Sequence, residues 1–166
     1  MHFDQIFGYV YRRTGDWDAA GDITSEVFVN ALEHIGRFRW TGAPFSAWLF
    51  RIAANQLRMH FRAGKRKSAA LSSYTVEQGS EADASPSERE VAEREFAAAG
   101  DFAAAQAALL HLPLKYQEVI ALRYFEQKSN DDIAAILQKP TGTVKSLVSR
   151  GLELLRRQLE SMQPIR

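Results

Sequence analysis

The N-terminal part of the chain places its apolar residues at the spacing of α-helices, one every three or four positions. This pattern predicts a helix over residues 3–13, a longer one over 17–35 with Asp16 as its N-cap, and a third from Phe45 to about residue 62. Glycine and proline interrupt the pattern between the second and third helices. The first segment is short for a helix of this kind, which suggests that part of the element is missing.

Residues 64–86 are rich in Ser, Gly, Ala and acidic side chains and carry almost no large apolar residue. Such a segment cannot bury enough surface to order itself, so it is predicted to be a linker. A capping-box pattern at Ser87 predicts a helix start after it. The rest of the chain is predicted to form four helices: about 102–111, about 114–125, a short one after a second capping box at Ser129, and a last one capped by Thr141 or Thr143 and reaching about residue 161.

The fold class that follows is all-α, with two small helical domains joined by a flexible acidic linker. The first, residues 1–64, is predicted to be a helical bundle, and the linker covers 65–101. The second, residues 102–166, is predicted to be a four-helix domain that contains a helix-turn-helix. That motif is indicated by a short capped helix, a tight turn at Pro140 and a longer helix.

Charge is distributed unevenly along the 166 residues, although the net charge is only +1. Residues 1–68 carry a balance of +4, residues 69–101 a balance of −6, and residues 102–166 a balance of +3. Two basic blocks around an acidic connector suggest two modules that face nucleic acid.

The stretch Gly36–Ser68 holds eight Lys or Arg residues and six aromatic residues, but no Asp or Glu. Taking 100° per residue, four polar side chains of the third predicted helix lie within about 60° of one another: Arg51, Asn55, Arg58 and Arg62. A solvated face would normally mix Glu with its Arg, so contact with nucleic acid is favoured over an ordinary basic surface. Phe38 and Trp40, in the preceding loop, are the candidates for stacking on exposed bases, whereas Trp48 is predicted to be a core or boundary aromatic.

The N-terminal part of the last predicted helix presents small hydrogen-bonding groups and two cations outward: Thr143, Lys145, Ser146, Ser149 and Arg150. This composition suits contact with phosphates and base edges in a major groove. A helical hairpin with a solvated face is the alternative.

The second predicted helix carries a polar face formed by Asp22, Glu26, Asn30 and Glu33. From the residues alone, this face is either solvated or a docking surface for a basic partner.

Several function classes are excluded by composition. Without Cys there is no disulfide, thiolate metal site or cysteine nucleophile, and the four His residues form no metal-binding pair. No apolar run is long enough for a membrane span, and the N-terminus lacks a signal-peptide pattern, so a cytoplasmic protein is expected. The sequence contains neither a phosphate-binding glycine loop nor a nucleophile–base pair, so it does not indicate an enzyme, and no cofactor is expected.

Two blocks of this sequence resemble the two conserved domains of extracytoplasmic-function (ECF) sigma factors of bacterial RNA polymerase. The first begins DITSEVFVNALEHIGRFRW and ends NQLRMHFR, and the second begins LPLKYQEVIALRYF and ends GLELLRRQL. Their order and spacing make the resemblance specific, because a helix-turn-helix alone is shared with many regulators.

The resemblance implies roles for these surfaces. The helix bearing Asp22, Glu26 and Asn30 would dock on the clamp helices of the largest polymerase subunit. Arg37, Phe38 and Trp40, together with Asn55, Arg58 and Arg62, would read and melt the −10 promoter element, with Phe38 and Asn55 forming the pocket for a flipped base. The helix-turn-helix would read the −35 element as duplex. The linker would pass near the RNA exit path, and an anti-sigma factor would be a partner.

The sequence departs from the family pattern in the second block. Leu147 stands where a basic residue is usual, Gln138 where Gly is usual, and Lys139 where a hydrophobic residue is usual. Gly151 replaces a common Ala and is predicted to weaken its helix by about 1 kcal/mol. The main alternative function is a stand-alone helix-turn-helix regulator, which would need dimer symmetry to read half-sites.

Overall fold

The computed structural model describes residues 2–71 and 100–162 of the chain. All regular structure in these two ranges is helical. The helices are α1 (His2–Thr14), α2 (Trp17–His34), α3 (Phe45–Leu71), α4 (Gly100–Leu110), α5 (Leu114–Ile120), α6 (Asn130–Leu137) and α7 (Thr141–Met162). A short 3-10 turn, Ile35–Arg37, follows α2, and a π-helical turn, Ala121–Phe125, follows α5. The predicted all-α fold class is confirmed.

Local sequence signals set several helix ends as predicted. Asp16 caps α2, with its carboxylate accepting a hydrogen bond from the Ala19 amide at 3.0 Å. At α6, the Ser129 hydroxyl accepts from the Asp132 amide at 3.0 Å, and the Asp132 carboxylate accepts from the Ser129 amide at 3.4 Å. This reciprocal capping box satisfies two amides that the first turn of a helix leaves unpaired.

The end of α3 was predicted wrongly. The helix continues to Leu71 instead of ending near residue 62. A single Gly64 costs only about 1 kcal/mol in a helix, and the Lys and Arg residues after it are good helix formers. The Arg66 side chain also donates from Nε to the Arg62 carbonyl at 3.4 Å. Part of the segment assigned to the linker is therefore helical, while the helix start predicted at Ser87 lies outside the described residues.

The first helical group, α1 to α3, closes around an apolar core. Its fully buried side chains come from all three helices: Ile6, Tyr9, Val10, Val27, Leu49, Phe50 and Leu57. The second group, α4 to α7, adds further side chains to the same buried cluster: Leu109, Ile120, Leu122, Ile133, Ile136 and Val144. Within it α7 packs against α4, α5 and α6, so the last helix is held along much of its length.

The two helical groups also pack directly against each other. Helix α1 contacts α4 and the π-helical turn, and α3 contacts α6. The sequence predicted two domains joined by a linker and gave no sign of this contact. The contact involves the basic face of α3, through Arg51 and Arg58.

Candidate nucleic-acid interface

The polar face of α3 divides into an exposed part and a part covered by the second helical group. Asn55 and Arg62 are exposed, while Arg51 and Arg58 are half-buried. Arg58 donates from Nη1 to the side-chain oxygen of Asn55 at 3.2 Å. The predicted face therefore exists, but two of its four members also contact the other group.

A cavity of about 220 Å³ lies beside the N-terminal end of α3, under the loop that joins α2 to α3. Its lining combines three arginines, two aromatic rings and small residues: Arg37, Phe38, Arg39, Thr41, Ala43, Pro44, Ala47, Trp48 and Arg51. One water occupies roughly 30 Å³ in the liquid, so the volume of the cavity is several times that of a single water molecule. Cations beside aromatic faces offer both phosphate attraction and base stacking.

Aromatic packing fixes the shape of this cavity. The Phe38 ring lies 5.4 Å from that of Phe45 and 5.3 Å from that of Trp48, and Phe45 lies 5.4 Å from Trp48, measured between centroids. These distances are typical of favourable aromatic pairs. Phe38 is consequently half-buried and not fully exposed in its loop, whereas Trp40 is 71% exposed.

The structure brings Phe38 and Arg37 to the cavity but not Asn55 or Trp40. Trp48 and Arg51 line it instead, although the sequence analysis assigned Trp48 to the core or its boundary. Trp48 does pack on the core, and it also faces the cavity. Helical phase could have indicated this, because Trp48 and Arg51 are three residues apart and share a face.

The five side chains predicted to read duplex DNA lie together on the first part of α7, and all are exposed: Thr143, Lys145, Ser146, Ser149 and Arg150. Leu147, by contrast, is half-buried against the core. Thr141 is the first residue of α7, and its hydroxyl donates to the Asp131 carboxylate at 3.3 Å, which links the two helices of the motif.

Asp22 and Glu26 are exposed on α2, and Asn30 is half-buried. The same helix exposes two large apolar side chains that the sequence analysis did not single out, Val29 at 54% and Leu32 at 71%. Acidic and apolar side chains therefore lie close together on the exposed surface of α2. The exposure of Leu32 was unpredictable, because its helical spacing matched that of core residues.

Across residues 2–71 and 100–162, no three His, Asp or Glu side chains are grouped as metal ligands would be. In the same ranges, every helix is too short or too polar to cross a lipid bilayer.

The family profile described as Sigma-70 region 2 matches residues 1–67, and the profile described as Sigma-70, region 4 matches residues 102–155. The chain is 34% identical to the ECF RNA polymerase sigma factor SigW of Bacillus subtilis, over 98% of this chain and 87% of SigW. The chain belongs to the ECF sigma factors of bacterial RNA polymerase. Sigma factors bind core polymerase and promoter DNA and are transcription initiation factors, not enzymes.

Other relatives agree with this membership. The ECF sigma factor BldN of Streptomyces coelicolor is 32% identical over 96% of this chain, which spans 58% of the length of BldN. A solved structure with a similar fold is the sigma factor RpoE of Bartonella quintana in complex with the anti-sigma factor NepR. It has a TM-score of 0.73 and 23% identity, and it covers 98% of this chain and 94% of that one.

Proposed function

We propose that this ECF sigma factor divides promoter recognition among three surfaces of its helices. The loop 37–46 and α3 bind the opened −10 element, the exposed start of α7 binds the −35 element as duplex, and α2 binds core polymerase. Residues 1–64 and 102–166 act as the two promoter-binding domains, in the cytoplasm where transcription takes place.

The observation that carries this proposal is the cavity beside α3. It combines Arg37 and Arg51 with the rings of Phe38 and Trp48, and the exposed Asn55 and Arg62 continue the same face along the helix. A base that leaves the duplex stack costs a few kcal/mol, which stacking and phosphate contacts at such a site can offset. A protein that binds only duplex DNA has no need of an aromatic cavity among cations.

The surface of α2 supports the polymerase-binding role. Asp22 and Glu26 supply negative charge, and the exposed Val29 and Leu32 supply apolar area beside it. Charge complementarity favours a basic or mixed partner helix, and apolar contacts slow its dissociation.

An anti-sigma factor is proposed as the regulator. The RpoE structure with a similar fold was solved with NepR, and the sigma factor CnrH, with a TM-score of 0.66 and 21% identity, was solved with the cytosolic domain of CnrY. A protein that covers α2 would block the proposed polymerase contact.

Reconstituted transcription tests the proposal directly. Core polymerase with this chain should produce transcripts from defined start sites on fragmented genomic DNA, and core polymerase alone should not. Two short sequence elements shared by the DNA upstream of these start sites would be the −35 and −10 sequences. If the chain produced no promoter-dependent transcripts from any template, the proposed division of roles would be wrong.

A further inference from the structure

A second cavity, of about 340 Å³, lies where α1, α3 and α5 meet, and all three helices contribute side chains to its lining. It shares no lining residue with the cavity beside the N-terminal end of α3. Small-molecule sites in proteins usually have volumes of about 300–1,000 Å³. The second cavity is therefore large enough for one small ligand.

Positive charge dominates the lining of this cavity. Its cations are Arg13, Arg58, Arg62, Lys65 and Lys115, and the carboxylate among its lining residues is Glu118. Glu118 Oε1 lies 2.7 Å from Arg58 Nη2, so one arginine balances this negative charge. A cleft lined mainly by charges of one sign concentrates the electrostatic field and attracts ligands of the opposite sign. The lining therefore favours an anion.

Arg13 is the most deeply buried of these cations, at 2% exposure. Within the described residues, it donates from Nε to the Gln117 side-chain oxygen at 2.8 Å and from Nη1 to the Tyr9 hydroxyl at 3.2 Å. Both acceptors are neutral at physiological pH, since burial raises the pKa of Tyr9 to about 12. Burying a charge is costly unless it is paired as well as hydrogen-bonded, so an anion in the cavity would lower this cost.

Phe61 and Leu114 supply apolar surface to the same cavity, from α3 and α5 respectively. Phe61 is half-buried, and Leu114 is 48% exposed. The Arg13 Cζ atom lies 5.5 Å from the centroid of the Phe61 ring. An aromatic ring among cations is suited to stacking with a flat heterocycle. The lining thus favours a ligand that combines a planar ring with negative charge.

The cations on α3 form a row. Arg58, Arg62 and Lys65 are spaced i, i+4 and i+7, so they share one face of the helix and extend over about 10 Å of its axis. Guanidinium groups pair with phosphate oxygens through two hydrogen bonds, and a lysine binds phosphate as a point charge. A row of this length suits a chain of phosphates better than a single carboxylate.

We propose that the cavity where α1, α3 and α5 meet binds a free nucleoside di- or triphosphate. The heterocycle contacts Phe61 and Leu114, and the phosphates pair with Arg62, Lys65 and Lys115. A free nucleotide is favoured over a DNA strand because both helical groups bound the cavity, whereas the proposed −10 strand lies along α3.

The site itself does not depend on the proposed promoter-binding roles. Arg58 and Arg62 also belong to the α3 surface proposed to bind the −10 strand, so a bound nucleotide would compete with that strand for them. This competition rests on the proposed function, whereas nucleotide binding by the chain alone does not.

Calorimetric titration of the full chain with ATP, adenosine and inorganic tripolyphosphate tests the proposal. One ATP should bind per chain, and each of the other two ligands should bind about tenfold more weakly or less, because each lacks one half of the contacts. The inference is overturned if ATP does not bind, or if tripolyphosphate binds as tightly as ATP.

Lysine substitutions then place the phosphates. Lys65→Gln and Lys115→Gln should each lower the affinity for ATP about tenfold. Lys67→Gln is the matched control, because Lys67 lies outside the lining and about 200° around α3 from Lys65. All three side chains are exposed, so the fold should persist, and thermal melts check this. Equal losses in all three variants would mean non-specific attraction to a basic surface and would contradict the site.

Photolabelling with 8-azidoadenosine triphosphate locates the heterocycle. Labelled peptides should contain Phe61 or Leu114, and excess ATP should prevent the labelling; labelling confined to other helices overturns the assignment. A single-stranded oligonucleotide of randomised sequence provides the last comparison. If Lys65→Gln and Lys115→Gln weaken its binding while ATP does not bind, the cavity serves DNA and the inference is wrong. None of these measurements uses polymerase, so a failure of the proposed function in transcription is distinguishable from a failure of this site.

Discussion

Gly151 on α7 lies directly against Ile120 at the end of α5. A Cβ atom added at Gly151 would stand 2.8 Å from Ile120 Cγ1 and 3.1 Å from Ile120 Cδ1. Gly151 and Ile120 are both buried, so neither residue can move aside into solvent. Gly151 therefore allows α7 and α5 to approach closely, a role that is not evident from the low helix propensity of glycine.

Gly151→Ala should therefore destabilise the protein. Alanine improves helix propensity by about 1 kcal/mol, but overpacking a buried contact costs about 1–3 kcal/mol. We expect a net loss of about 1 kcal/mol in the free energy of urea unfolding. The prediction from sequence alone had the opposite sign, because it considered the helix without its neighbour.

Gly21→Ala is the matched control. Gly21 lies within α2, and apart from its chain neighbours and the adjacent backbone of its own helix, nothing stands within 4 Å of an added Cβ. The same substitution should raise stability there by up to about 1 kcal/mol. Equal effects at the two sites would contradict the close approach of α7 to α5.

Gln138→Gly should stabilise the turn of the helix-turn-helix. Gln138 has φ 53° and ψ 47°, the left-handed conformation in which a residue with a Cβ is strained by about 1 kcal/mol. Its side chain is exposed, so little packing is lost. The midpoint of thermal unfolding should rise for Gln138→Gly and fall for Gln158→Gly, since Gln158 lies within the regular helix α7.

Local features of this fold were predictable because each depends on residues close in sequence. The Ser129 capping box and the Asp16 cap involve groups three residues apart, and the face of Asn55 and Arg62 follows from helical phase. The family resemblance added the assignment of each surface to a partner.

Contacts between distant residues were not predictable in the same way. Arg58 and Glu118 are separated by sixty positions, and neither has a local feature that indicates the other. The cavity depends on how the loop before α3 folds over Trp48, which the spacing of apolar residues does not report. Helix α3 continues past residue 62 because the residues there have high helix propensity, although their charge and Gly64 suggested a linker.

Alkaline pH should destabilise the protein through Tyr9. Complete burial raises the pKa of Tyr9 from 10.0 to about 12, although the nearby Arg13 opposes the shift. The folded state therefore holds the phenol proton more tightly than the unfolded state does. The resulting stability is fully present below pH 10 and is lost as pH rises to about 12, and it amounts to about 3 kcal/mol.

Chemical denaturation between pH 9 and pH 12 should separate Tyr9→Phe from wild type. The variant should be less stable than wild type at neutral pH, since Arg13 donates from Nη1 to the Tyr9 hydroxyl at 3.2 Å. It should then lose less stability as pH rises. Tyr124→Phe, at a position 47% exposed, should follow the wild-type profile. A parallel loss in all three proteins would rule out titration of Tyr9.

Asn55→Ala should impair promoter opening while leaving polymerase binding intact. Asn55 is exposed on α3 and accepts a hydrogen bond only from the neighbouring Arg58 among the contacts described, so its loss should not disturb the fold. A side-chain hydrogen bond to a base edge is worth about 1–3 kcal/mol, which corresponds to about a fivefold to 150-fold loss of open complex. Permanganate reactivity of unpaired thymines measures opening, and co-elution with core polymerase measures binding.

His60→Ala is the control, because His60 is exposed on the same helix about 140° away from Asn55. Loss of polymerase binding by Asn55→Ala, or equal defects in both variants, would contradict the separation of DNA binding on α3 from polymerase binding on α2.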